Sequence, residues 1–310
     1  MKICVVGIGG VGGYFGGLLA YAFQNRPDSS VAVYFIARGN HLEITKRKGI
    51  LLKTSDWGDL QCRPFLATDD FESIGDADVF IIGVKGYDLD EVSKSLSRHV
   101  TKDTWVVPLL NGVDVRERLR SHIHSGIILP ACVYVSSYIE DAGTVVQSGT
   151  PGRIILGPDP DHPRNEPDAF LHLLKEASIP CDWQQDAYPA IWEKYLFIAS
   201  FGLVSARFDR TLGEIVGDDI LRTLVQEIMG EIYRIAVAKK ISLPPGVVDA
   251  ALTKASLFPS ETRTSLQRDI RQKKKNELDL FGRTIIDQGM TLGIPTPWTR
   301  KIYGEILELS

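Results

Sequence analysis

Short apolar runs and amphipathic stretches alternate through the first half of the chain, and helical spacing of apolar residues takes over in the second. Strand-like runs lie at residues 3–6, 31–36, 79–84, 105–110 and 127–135, with helical patterns at 11–24 and 89–96 between them. Such alternation predicts an α/β fold with a parallel, doubly wound sheet of Rossmann type. In residues 50–66 two β-rich runs flank Asp56-Trp57-Gly58-Asp59, which predicts a hairpin. Residues 134–138, 144–147 and 153–156 read as further short strands separated by Gly and Pro turns. A loop at 157–163 and a helix at 168–177 follow.

The pattern changes after Trp183. Helices are predicted at 189–204, 219–239, 245–254, 276–292 and 298–308, punctuated by prolines at 244, 245, 259, 295 and 297. The predicted organisation is a Rossmann-type domain over residues 1–184 and an all-α domain over residues 185–310.

The composition, 44% hydrophobic and 24% charged, is that of a globular enzyme. A net charge of −4 gives no argument for nucleic acid or an anionic membrane as partner, and no apolar run is long enough to span a bilayer. The first apolar run is short and turns into glycines, unlike a secretory signal. Cys4, Cys62, Cys132 and Cys181 form no CxxC pair and no zinc-like cluster with histidine. The expectation is a cytoplasmic protein without a metal or a structural disulfide.

Candidate chemistry begins where the first strand runs into Gly7-Ile8-Gly9-Gly10-Val11-Gly12 and then a helix. Gly7 suits the sharp turn, Gly9 lets backbone approach a pyrophosphate, and Gly12 lets the helix sit close to the sheet. The phosphates would meet the positive end of the helix dipole. The alternative is a glycine-rich turn without ligand. At the end of the second strand stands Arg38 rather than an acid, which favours the 2′-phosphate of NADP over the ribose hydroxyls of NAD. A solvated loop arginine is the other reading. Lys85 follows a buried strand, where a lysine either meets a ligand or simply lies on the surface. Asn111-Gly112 is either an ordinary turn or a substrate-holding amide.

In the helix at 189–204 the main polar residues are Glu193, Lys194 and Ser200, which share one side. They form either a solvent stripe or the wall of a polar cleft. Glu277 suits a first helical turn, and the basic run Arg268, Arg271, Lys273, Lys274 and Lys275 is either a solvated helix end or an attractor of anions.

Taken together, these residues resemble the ketopantoate reductase (2-dehydropantoate 2-reductase) family along the whole chain. The resemblance is carried by Gly7-x-Gly9-x-x-Gly12, Arg38, Val84-Lys85, Asn111-Gly112 and Trp192-x-Lys194. It continues in Thr264-Ser265-Leu266-Gln267-Arg268-Asp269, Asn276-Glu277-Leu278-Asp279 and Gly293-Ile-Pro-Thr-Pro297. It implies NADPH-dependent reduction of an α-keto acid to a 2-hydroxy acid, as in pantothenate biosynthesis, in a cleft between the two domains. It assigns Lys194 as proton donor, Glu277 as the acid contacting substrate and lysine, and Ser265 and Asn111 as substrate-binding groups. Gly7 to Gly12, Arg38, Lys85, Asn111 and Glu277 are the positions expected at the cofactor. A homodimer is compatible with the resemblance, and the residues leave the oligomeric state open.

Four positions depart from the family pattern. Ile198 and Gly202 replace asparagines four and eight residues after the lysine, Asn276 replaces a threonine, and Asp88 replaces a glutamine. Both missing amides would face the substrate, so a pocket lined by Ile198 and Gly202 is more apolar, and a related branched 2-keto acid becomes a candidate beside ketopantoate. The rivals are a dehydrogenase of the same group acting on another hydroxy acid, and a non-catalytic NADP-binding regulator.

Overall fold

The computed structural model describes residues 1–26 and 30–309. The chain divides into two compact units, residues 1–110 with 115–187 and residues 111–114 with 188–310.

The first unit contains two sheets. Strands β1 (Lys2–Val6), β2 (Ala32–Ile36), β3 (Ile50–Thr54), β4 (Gly58–Cys62), β5 (Leu66–Thr68), β6 (Val79–Ile82), β7 (Trp105–Pro108), β8 (Ile127–Ile128), β9 (Ala131–Asp141), β10 (Thr144–Leu156) and β11 (Cys181–Trp183) alternate with five helices. These are α1 (Gly10–Phe23), α2 (Gly39–Lys48), α3 (Leu89–Leu96), α4 (Val115–Arg120) and α5 (Asp168–Glu176). The main sheet is parallel, in the order β5-β2-β1-β6-β7-β8, as the alternating pattern predicts. Residues of β1 alternate between two cores. Ile3 and Val5 pack on the α1 side, Cys4 and Val6 on the side of Leu89, Val92 and Leu96.

The second sheet, in the order β11-β10-β3-β4 with β9 paired to β10, corrects the expected short strands. Residues 131–156 form one long hairpin whose register shifts between Ser148 and Arg153, across the stretch containing Pro151. Pro130 divides the predicted 127–135 run into β8 and β9.

Helix α1 packs on both sheets, which explains its glycine pairs. A Cβ on Gly16 would press on Val5 and Phe35 of the main sheet at 3.1–3.2 Å, and one on Gly13 would meet Val145 of the second sheet at 2.6 Å. Burial of Cys62 and Cys181 pushes their thiols up to about 12, and Cys4 rises further, so none of these three is a nucleophile at neutral pH. None of the four cysteines is in a disulfide.

The second unit is helical, with α6 (Tyr188–Phe208), α7 (Leu212–Gly217), α8 (Asp219–Ala238), α9 (Val247–Ser256), α10 (Ser265–Arg271), α11 (Leu278–Phe281), α12 (Arg283–Leu292) and α13 (Pro297–Leu307). Side chains in successive turns of α6, among them Ile191, Trp192, Tyr195, Leu196, Ala199 and Leu203, are buried, so it is the core helix. The predicted helix at 276–292 breaks at Gly282, where a Cβ would lie 2.9 Å from Cγ of Tyr303. Buried Glu231 of α8 accepts from the N–H groups of Trp298 and Thr299 at 2.7 and 2.9 Å, capping α13 with charge matched to its dipole. No helix among the described residues is long and apolar enough to cross a membrane.

Candidate active site

The glycine turn sits at the carboxyl end of β1, between β2 and β6. Gly7 has φ +87°, and a Cβ there would be 2.5 Å from Val84 Cγ1, so only glycine fits the turn. A Cβ on Gly12 would meet the Gly7 carbonyl oxygen more closely still. At Gly9 a Cβ would find only the Gly83 carbonyl, at 3.9 Å, so this face of the turn is open. Ile8 is buried and anchors the turn in the core. Gly9 caps α1 through its backbone, with no side-chain cap and no acidic residue in the first turn of Gly10, Val11 and Gly12. An open backbone cradle below an uncompensated helix N-terminus fits a dinucleotide pyrophosphate.

Arg38 caps α2 two residues beyond β2, and its Nη2 donates to Glu91 Oε1 of α3 at 3.0 Å. Lys85 is exposed at the start of the turn that follows β6. His41 accepts from the Gly143 N–H at 2.9 Å through Nδ1. Burial holds its pKa below the ordinary histidine value, and a backbone contact with Ile8 opposes that shift. Its ring ties α2 to the turn between β9 and β10 of the second sheet, a connection with no sequence motif.

The second unit brings Lys194 and Asn111 together. Lys194 Nζ donates to Asn111 Oδ1 at 2.6 Å. An ammonium has only donors, so the amide oxygen must be the atom facing it. Lys194 is half-buried on α6, between buried Trp192 and Tyr195. The Tyr195 hydroxyl donates to the Leu280 carbonyl at 2.7 Å, tying α6 to α11. Burial, reinforced by the Asp114 charge, raises its pKa well above the usual phenol value. Glu277 is buried at the N-cap of α11. Ser265 is exposed at the first residue of α10, whose cap is Thr264, hydrogen-bonded to Gln267 N–H at 3.2 Å and to Ser205 Oγ at 2.7 Å. Thr264 therefore spares the Ser265 hydroxyl from capping.

Ile198 is half-buried one turn beyond Lys194, and Gly202 is buried a turn further. The Cβ that Gly202 lacks would lie 3.7 Å from Phe281 Cδ2 and 3.8 Å from Leu266 Cδ2. An amide at 202 would thus point at an apolar wall. Ser200 is fully buried, and its hydroxyl has no hydrogen-bond partner among the described residues, so Glu193, Lys194 and Ser200 do not form a solvent stripe. Among the described residues no His, Cys, Asp and Glu cluster is placed to hold a metal ion.

Two family models match the chain, ketopantoate reductase PanE/ApbA over residues 3–161 and its C-terminal counterpart over residues 186–309. The chain belongs to the ketopantoate reductase family. Members of this family are oxidoreductases acting on CH–OH groups. A 2-dehydropantoate 2-reductase of Mesorhizobium japonicum is 27% identical, covering 100% of this chain and 98% of the relative. An uncharacterized oxidoreductase of Bacillus subtilis is 25% identical over 99% of this chain and 98% of its own length. The crystal structure of a family member from Ralstonia eutropha superposes with a TM-score of 0.88 at 25% identity, covering 100% and 98% of the two chains. A D-mandelate dehydrogenase shares the fold, with a TM-score of 0.85 at 19% identity, over 99% and 98% of the chains.

Proposed function

We propose that this protein is an NADPH-dependent reductase of 2-keto acids, acting on ketopantoate or a branched relative with a more apolar side chain. The observation that carries the reading is the Lys194–Asn111 hydrogen bond on a helix locked by Trp192 and Tyr195. A bound NADPH would supply the hydride to the keto carbon. Lys194 holds the keto oxygen, stabilises the negative charge that develops there, and releases a proton to it. The products are the 2-hydroxy acid and NADP⁺, and Lys194 regains its proton from solvent.

Asn111 uses its Oδ1 to orient Lys194, which leaves Nδ2 to donate to the substrate carboxylate together with the Ser265 hydroxyl. Glu277 contributes a carboxylate that keeps Lys194 charged and oriented. The open face at Gly9 takes the pyrophosphate, Arg38 the 2′-phosphate, and Lys85 a further anionic group of the cofactor. Ile198, with the wall of Leu266 and Phe281 behind Gly202, favours an apolar substrate side chain. In this assignment residues 1–184 hold NADP(H) and residues 185–310 hold the substrate and the proton donor, in a cytoplasmic enzyme of the pantothenate type. The test is consumption of NADPH against a panel of 2-keto acids. Turnover of ketopantoate or a branched analogue is expected, and no turnover of any member would overturn the reading.

A further inference from the structure

Arg38 is paired with an acid that comes from the far side of the dinucleotide turn. Arg38 stands just past β2, Glu91 lies in the first turn of α3 after β6, and β1 runs between those two strands. The pair, at 3.0 Å, therefore crosses the carboxyl edge of the strand that feeds Gly7 to Gly12. Both side chains are open to solvent, 59% and 67% exposed, so the contact is weak and exchangeable.

Position 38 is where such a fold meets the 2′ substituent of the adenosine ribose. A 2′-phosphate needs the guanidinium that Glu91 now engages, and it brings negative charge next to that carboxylate. An unphosphorylated ribose makes the opposite demand, because its hydroxyls donate and a carboxylate accepts. We propose that Glu91 is a specificity-determining residue that lowers the preference of this site for NADPH over NADH, by competing with the 2′-phosphate for Arg38 and accepting from a free ribose diol. The inference rests on the dinucleotide reading given above. It moves the usual acidic ribose ligand from the tip of β2 to the start of α3, leaving Arg38 in place beside it. The site then binds both dinucleotides, with a modest preference set by the balance between the two side chains.

The test is direct binding. Wild type, Glu91→Gln and the Arg38→Ala/Glu91→Gln double variant are titrated with NADPH and NADH by nicotinamide fluorescence, and with 2′,5′-ADP by calorimetry. Glu91→Gln is expected to tighten NADPH and 2′,5′-ADP by about 3- to 10-fold while NADH stays unchanged or weakens. The gain should shrink as salt is raised, and it should vanish in the double variant. An NADPH/NADH affinity ratio that stays within about twofold of wild type would overturn the role of Glu91 and leave the reductase reading standing. Failure of the wild type to bind either dinucleotide would overturn both.

Discussion

Lys194 and Asn111, far apart in sequence, meet through a 2.6 Å hydrogen bond from ammonium to amide oxygen. An ammonium carries three N–H donors, so Asn111 can orient the lysine without exhausting it. Asn111 stands just beyond β7, in the loop 111–114 that groups with the helical unit.

Asn111→Ala should lower kcat by roughly 10- to 100-fold, because the lysine loses its orientation and the carboxylate loses a donor. Asn111→Asp should instead place a negative charge beside the ammonium and raise its pKa. The basic limb of the pH–rate profile then moves to higher pH. Steady-state profiles of the two variants check this, and a limb that stays at the wild-type pH would dissociate Asn111 from Lys194.

Gly202 and Ile198 separate stability from specificity. Alanine at 202 would place its Cβ at ordinary contact distance from Phe281 and Leu266, and it removes a helix-interior glycine. Gly202→Ala should therefore stabilise the protein by about 0.5–1 kcal/mol in denaturant titrations. Ile198→Asn restores an amide one turn after Lys194. It should raise kcat/KM for hydroxyl-bearing ketopantoate, relative to an apolar branched analogue, by about tenfold or more. An unchanged ratio would remove Ile198 from the pocket.

Asp159 is the buried charge that holds α4 to β8. It pairs with Arg116 and Arg120 and accepts from the Ile128 N–H at 3.0 Å. Burial alone would raise its carboxyl, but the Arg116 hydrogen bond, the Ile128 and Asp161 N–H groups and the Arg116 charge hold it below the usual range. The folded value lies below the unfolded one, so the stabilisation is complete above the unfolded pKa. It is lost as pH falls through the folded value. Asp159→Asn should cost roughly 3–5 kcal/mol at neutral pH, and the gap should begin to narrow only below about pH 4 and close as pH falls through the folded value. Thermal melts of both proteins across that range check the prediction, and a gap independent of pH would contradict it.

The parallel sheet and the glycine turn were legible because their signals are local. Strand periodicity and the backbone demands of Gly7, Gly9 and Gly12 need no partner to be recognised. The second sheet was not legible as such, because Pro151 and the register shift divide β10 into pieces that read as separate strands. Helix α2 escaped notice because only Leu42 and Thr45 are buried in it, too few to show a period. Among the candidate site residues, Lys194, Ser265 and Glu277 are marked by the family motifs. The Lys194–Asn111 contact depends on the folding of a loop against a distant helix and leaves no trace in spacing. Glu91 carries no motif, and its meeting with Arg38 follows from strand order, in which β1 separates β2 from β6. The burial of Ser200 was hidden for a similar reason. A polar residue on an apolar helix reads as solvent-facing until the neighbouring helices are placed.

Turnover measured beside cofactor binding in wild type and Lys194→Ala decides whether Lys194 is the proton donor of a 2-keto acid reductase. Wild type should oxidise NADPH with ketopantoate or a branched 2-keto acid. Lys194→Ala should lose about 10²- to 10⁴-fold in kcat while NADPH binds as before. Equal turnover in the two proteins, or NADPH binding without turnover of any 2-keto acid by wild type, would contradict it.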